Sequence, residues 1–169
     1  MILDAFDTCN ISCILFNRCE LGEQKMLTLA ELKKLVLEGS IDTVVVSIPD
    51  MQGRLMGKRF HAKHFIESAY NETHCCNYLL ATDLDMTPVE GFHSTSWNAG
   101  YGDYSMIPDL TTLRILSWFE KTASVFCDLV NHQDHKPITF SPRFMLKRQL
   151  ERLSEAGFVS NFATELEFF

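Results

Sequence analysis

The sequence predicts an α+β chain: a small first unit of mixed helices and strands, then a helix and a strand that open a second unit. Three observations carry this. TLAELKKLVLEG and SPRFMLKRQLERLSEAG have helical apolar spacing bounded by capping residues. IDTVVVSI and RLMGKRF flank PDMQG, a turn with proline and glycine in their expected roles. The strand-like and helical runs alternate without any internal repeat.

Taken in order, residues 1–24 follow no sustained period and are expected to form an irregular arm. The first helix starts at Thr28, whose hydroxyl can cap it with Glu31 three residues on. Leu29, Leu32, Leu35 and Val36 form its apolar stripe, and Gly39 stops it. The β-branched run over 41–48 returns after the turn as a second strand, a hairpin over 41–60. HAKHFIESAY predicts a short helix, and CNYLLATDLDM a strand running into a loop. The glycine-rich stretch over 87–102 reads as a long surface loop. DYSMIPD, TTLRIL and TASVFCDLV are three further strand-like runs, and NHQDHK is a loop. A boundary falls at Pro137, dividing a domain over 25–136 from a segment over 137–169. In that segment Ser141 caps a helix with Pro142 at its first position, Gly157 ends it, and Met145 or Leu146, Leu150 and Leu153 give its stripe. FVSNFATELEFF is expected to be a strand.

Composition narrows the function. A chain of 169 residues, 46% hydrophobic and 22% charged, can bury a core without disulfides, and no apolar run reaches the ~18 residues of a membrane span. Asp4 and Asp7 stand where a signal peptide would be positive, so a cytoplasmic location is expected, with the six cysteines reduced and mostly buried. A net charge of -7 argues against a nucleic-acid partner. Locally, GRLMGKRFHAKH gathers Arg54, Lys58, Arg59 and Lys63, which could face an anion or an acidic neighbouring subunit, or simply form a solvated face.

The chain has no phosphate-binding P-loop, no complete dinucleotide fingerprint, no HExxH and no nucleophile elbow. His132 and His135 in HQDH could chelate a metal, but a polar turn is the simpler reading. Glu165 and Glu167 carry more. On an extended strand they share a face with Ala163, whereas Phe162, Thr164, Leu166 and Phe168 point the other way. Two neighbouring carboxylates repel unless a cation or proton intervenes, and hard divalent ions are held by such pairs. The plain alternative is an edge strand shielded by charge.

From about Met26 to Phe169 the chain resembles the glutamine synthetase family, especially its γ-glutamylamine (polyamine-type) ligase branch. The resemblance lies in VVVSIPDMQGRLMGKRF, YLLATDLDM, GYGDYSMIPDLTTLR, CDLV, SPRFMLKRQLERLSEAGF and ELEFF. It implies a β-grasp domain over 25–136 followed by the opening helix and strand of a catalytic α/β domain. It also implies an ATP-dependent reaction joining glutamate to ammonia or an amine through γ-glutamyl phosphate. Glu165 and Glu167 would then be ligands of two Mg²⁺ or Mn²⁺ ions, near the ATP phosphates and near glutamate respectively. Asp83, with Asp85 as the alternative, would reach into a neighbouring subunit's site of a homo-oligomer to bind and deprotonate the ammonium. Residues 1–24 do not resemble the family, and most of the catalytic domain, with its ATP-binding residues, would lie outside this chain, which is then expected to be inactive alone. The alternative is a non-enzymatic β-grasp module that docks onto full-length subunits, or a structural relic.

Overall fold

The structure, a computed structural model, describes residues 26–98, 100–163, 165 and 167; the expected arm over 1–24 lies outside them. Helix α1 (Leu29–Leu37) forms where the capping box predicts it. The Thr28 hydroxyl accepts from the Glu31 N–H, and the Glu31 carboxylate accepts from the Thr28 N–H at 2.8 Å. Gly39, at φ 74°, lets the chain leave it.

Strands β1 (Thr43–Pro49) and β2 (Leu55–His61) make the expected antiparallel hairpin, with Ser47 opposite Gly57. No other residue fits at Gly57: an added Cβ would lie 1.9 Å from the Val46 carbonyl oxygen. The sheet continues through β3 (Thr73–Cys76), β4 (Asp103–Pro108), β5 (Arg114–Ile115) and β6 (Thr122–Asn131), in the order β2-β1-β6-β4-β3, with β5 also beside β6. β1 and β6 are parallel, whereas β3–β4 and β4–β6 are antiparallel. A helix thus packs on a mixed sheet whose β1–β6 pair is parallel, a pairing not expected from the sequence.

Strand period sets the core. Val44, Val46 and Ile48 alternate along β1 onto one face and meet Leu32 and Val36 of α1, Val125 and Cys127 of β6, and Phe65 and Leu113, all buried. Each large apolar side chain so placed contributes about 1.5–3 kcal/mol relative to exposure. Phe65 and Ala69 come from the short helix expected over 61–70, which is a single turn, α2 (Ala62–His64), widening into a π-turn over Phe65–Ala69.

Three segments depart from the sequence reading. The strand expected in CNYLLATDLDM ends at Cys76, and Asn77–Leu80 is a 3₁₀ turn. Asn77 is the cause: its N–H donates to the Gly102 carbonyl at 2.9 Å, and its side-chain oxygen accepts from the Thr95 hydroxyl at 2.9 Å. TTLRIL keeps only the two strand residues of β5, because Asp109 caps a 3₁₀ turn at Leu110–Thr112. The strand expected over 158–169 has no partner strand among its described residues, which lie outside any sheet; the Phe158 N–H instead donates to the Leu153 carbonyl at 2.9 Å, closing the end of the preceding helix.

Helix α3 (Pro142–Glu155) has the predicted cap, with Ser141 Oγ accepting from the Phe144 N–H, and Gly157 follows it at φ 82°. Its expected stripe exists but is uncovered: Met145, Leu146, Leu150 and Leu153 are between 37% and 55% exposed. The described cysteines are free, with Cys75 and Cys127 buried and Cys76 exposed. Burial pushes the Cys75 and Cys127 thiols up to about 12, so both are unreactive packing groups. No described helix is long and apolar enough to cross a membrane.

Candidate functional site

The hairpin turn and the loop after the 3₁₀ turn are built as one unit. Asp50, fully buried, accepts from the backbone N–H groups of Gln52 at 2.9 Å and Arg54 at 2.8 Å, and from Arg54 Nε at 2.7 Å. Burial pushes the Asp50 carboxyl upward, but the bonds from the Arg54 side chain, the Arg54 backbone and the Gln52 backbone outweigh it and hold it below the usual range. The remaining Arg54 donors reach across the chain: Nη1 donates to the Leu84 carbonyl at 2.7 Å and Nη2 to the Asp83 carbonyl at 2.9 Å. Gln52 Nε2 donates to the Thr82 carbonyl at 2.8 Å. Three successive carbonyls, 82–84, are thus gripped from the hairpin.

That grip holds the segment carrying Asp83 and Asp85. Asp83 is half-buried, and its Oδ1 accepts from the N–H groups of Asp85 and Thr87, both at 2.9 Å, closing a turn on itself. Asp85 is exposed. Thr87 also lines a cleft of about 440 Å³ walled by Tyr78, Trp97 and Tyr101, in which Trp97 and Tyr101 meet edge to face at 5.3 Å. The loop over 87–102 is therefore folded around aromatic contacts, and Trp97 remains 81% exposed at its tip.

Helix α3 is fastened to the sheet by charge. Arg143 pairs with Asp109 and, through Nε at 2.9 Å, with Asp128 on β6; Lys147 Nζ lies 2.7 Å from Asp128 and 3.4 Å from Asp109. This fixes the start of the segment that leads to Glu165 and Glu167. Both glutamates are exposed rather than half-buried, on chain outside the sheet. Two exposed carboxylates two residues apart are a hard-oxygen donor set that suits Mg²⁺ or Mn²⁺. The described structure does not bring them together with Asp83 in any contact.

The basic run is divided. Arg54 is committed to Asp50 and the loop carbonyls, and the Arg59 guanidinium lies over the Phe119 ring at 5.3 Å. Lys58 and Arg59 border a groove of about 300 Å³ with Arg114, Trp118 and Phe126. The Asp50–Arg54 pairing was not among the expectations from sequence; its signal was an aspartate opening the turn four residues before an arginine. Of the two histidines in HQDH, His132 meets Glu72 and His74 from distant parts of the chain.

No family model matches the chain. It is 50% identical over 143 residues to the γ-glutamylethanolamide synthetase GlnA4 of Streptomyces coelicolor, covering 84% of this chain and 31% of that protein. It is 25% identical over 146 residues to the glutamine synthetase of Thermotoga maritima, covering 85% of this chain and 30% of that one. Among solved structures it superposes on GmaS in complex with ADP with a TM-score of 0.53 at 25% identity, over 74% of this chain and 26% of that chain. The fold is therefore that of a glutamine-synthetase-type ligase, over a part of its length. The chain belongs to the glutamine synthetase family and spans about a third of the length of the relatives it matches.

Proposed function

We propose that this chain is part of an ATP-dependent ligase that joins glutamate to an amine, with ammonia as the other candidate nucleophile. The observation that carries the reading is the 50% identity to a γ-glutamylethanolamide synthetase across 143 residues, 84% of this chain. In this chemistry the glutamate γ-carboxylate takes the terminal phosphoryl group of ATP, releasing ADP. The amine nitrogen then attacks the acyl carbon, loses a proton, and displaces phosphate. Glu165 and Glu167 would hold divalent cations, which supply charge neutralisation for phosphoryl transfer when bound.

The other residues have work that needs no bound group. Asp83 would face a neighbouring subunit's site, accept a hydrogen bond from the incoming ammonium and take its proton, with Asp85 as the alternative. Arg54 and Gln52 are positioning residues, since their bonds to the carbonyls of residues 82–84 fix where that carboxylate stands. A homo-oligomer in the cytoplasm is part of the proposal, because a residue offered to a neighbour has no use in a monomer.

The test grafts residues 26–169 into the corresponding part of the Streptomyces enzyme and measures ADP release with glutamate and a series of amines. Amine-dependent ADP release is the expected result. A folded graft that releases ADP with no amine or ammonia in the series would reject the reading. A second reading is favoured by one observation: Phe158, Val159 and Phe162 are 65%, 90% and 79% exposed, an apolar run open to a partner. In that reading the chain docks onto full-length subunits without catalysis, and adding it to such a subunit would shift the sedimentation profile without restoring any activity.

A further inference from the structure

Glu72, His74 and His132 stand 60 residues apart in sequence at the widest, yet one carboxylate oxygen and one ring nitrogen from each histidine lie within 4.8 Å of one another. The sheet makes the meeting. His74 on β3 is the register partner of Ser105 on β4, and Ser105 of Val130 on β6, so the three side chains share a face. Glu72 lies two residues before His74. His132 follows β6 in a turn closed by the His135 N–H donating to the Asn131 carbonyl at 2.9 Å and by the Asn131 N–H donating to the Lys136 carbonyl at 2.8 Å.

Three details distinguish this cluster from a casual ion pair. His74 Nε2 is buried and makes no hydrogen bond of acceptable geometry, although Glu72 Oε1 is only 3.3 Å away. Two ligands on a tetrahedral zinc ion, with bonds of about 2.0–2.1 Å, are separated by about 3.3 Å, so a shared cation would satisfy both atoms at the spacing they already have. Finally, the buried Ser105 hydroxyl lies 3.2 Å from His132 Nδ1. It thus orients one of the ligands, as an outer-shell group does in metal sites.

We infer that Glu72, His74 and His132 form a binding site for a zinc-like divalent transition metal that ties the start of β3 to the turn after β6. Two imidazoles and one carboxylate are a borderline donor set, selecting Zn²⁺ and its neighbours over Mg²⁺ or Ca²⁺, which prefer oxygen. Three protein ligands leave a fourth position for water. The site lies outside the candidate ligase machinery and does not depend on that proposal.

The experiment titrates the full chain, kept reduced, with Zn²⁺ against a chromophoric chelator, and follows thermal unfolding with and without the metal. Wild type is expected to show a site that His132→Gln weakens at least 10-fold, with His74→Ala and Glu72→Gln weakening it likewise. His132→Gln lies on an exposed turn and tests the idea even if His74→Ala does not fold. His93→Gln should leave the affinity unchanged, and the zinc-induced rise in Tm should vanish in His132→Gln. Zinc binding and Tm response in His132→Gln equal to wild type would overturn the inference, as would no binding by wild type, or binding lost in Glu165→Gln but kept in His132→Gln.

Discussion

At the scale of single residues, the Asp50–Arg54 pair is where sequence, fold and proposed function meet. Asp50 is fully buried, so removing its partner leaves a charge in the interior with only backbone donors. Breaking one side of such a pair costs about 3–5 kcal/mol. Arg54→Ala should therefore lower the unfolding free energy, and with it the urea midpoint, by an amount in that range of energy, and speed amide exchange in residues 82–87, where it grips the carbonyls. An unchanged midpoint would show that the backbone N–H groups suffice. The same chemistry sets an acid limit. The carboxyls of Asp50 and Asp109 both lie below their ordinary value of 3.8, despite burial pushing each upward. The folded state consequently binds fewer protons there than the unfolded state. Their contribution to stability is present above pH 3.8 and is lost as pH falls through the lowered folded values. Acid unfolding curves should show that loss, and Asp50→Asn should make the curve shallower below pH 3.8; a curve of unchanged steepness would contradict the assignment.

At the scale of elements, what the sequence made legible was local and what it hid was long-range. Thr28 with Glu31 and Ser141 with Pro142 announce their helices because a cap and its helix are separated by a few residues. The hairpin was legible for the same reason. The 3₁₀ turn at Asn77–Leu80 was not, because the bonds that bend it come from Ser94, Thr95 and Gly102. Nor was the Glu72, His74 and His132 cluster, which no spacing motif describes and only strand register assembles. Helix α3 offers a test at this scale. It buries none of its residues fully and is held to the sheet by Arg143 and Lys147 against Asp109 and Asp128. Partly exposed pairs of this kind are worth little singly, but a shared network fixes a docking geometry. Replacing Arg143 and Lys147 together by alanine should raise hydrogen exchange throughout α3 while Val44 to Val46 of β1 stay protected. Equal loss of protection in both would mean that α3 and the sheet unfold as one unit.

For the whole molecule, the proposal divides this chain's contribution between two active sites. In that proposal Asp83 belongs to the neighbour's site and the two glutamates to its own. Mixing makes the division testable. In a full-length graft, Asp83→Asn preserves an oxygen for the Asp85 and Thr87 N–H groups, so the loop should keep its turn. Oligomers assembled from equal parts of that variant and a Glu165→Gln, Glu167→Gln variant should regain about a quarter of wild-type sites, because heterologous neighbours recombine at random. No recovery in oligomers proven to be mixed would place all three residues in one subunit's site, or remove Asp83 from the reaction.

The two glutamates carry the claim on which the rest stands: that they are cation ligands of a ligase and not surface charge on extended chain. Magnesium dehydrates reluctantly and requires near-octahedral oxygen coordination, so the loss of one carboxylate ligand is felt directly in metal dependence. The measurement is ADP release by the full-length graft as a function of Mg²⁺ concentration, for wild type, Glu165→Gln and Glu167→Gln. The account predicts that each substitution lowers turnover about 100-fold or more, or raises the half-saturating Mg²⁺ concentration at least about 10-fold, the loss of several kcal/mol of charge stabilisation. Wild-type turnover and wild-type Mg²⁺ dependence in both variants would contradict it.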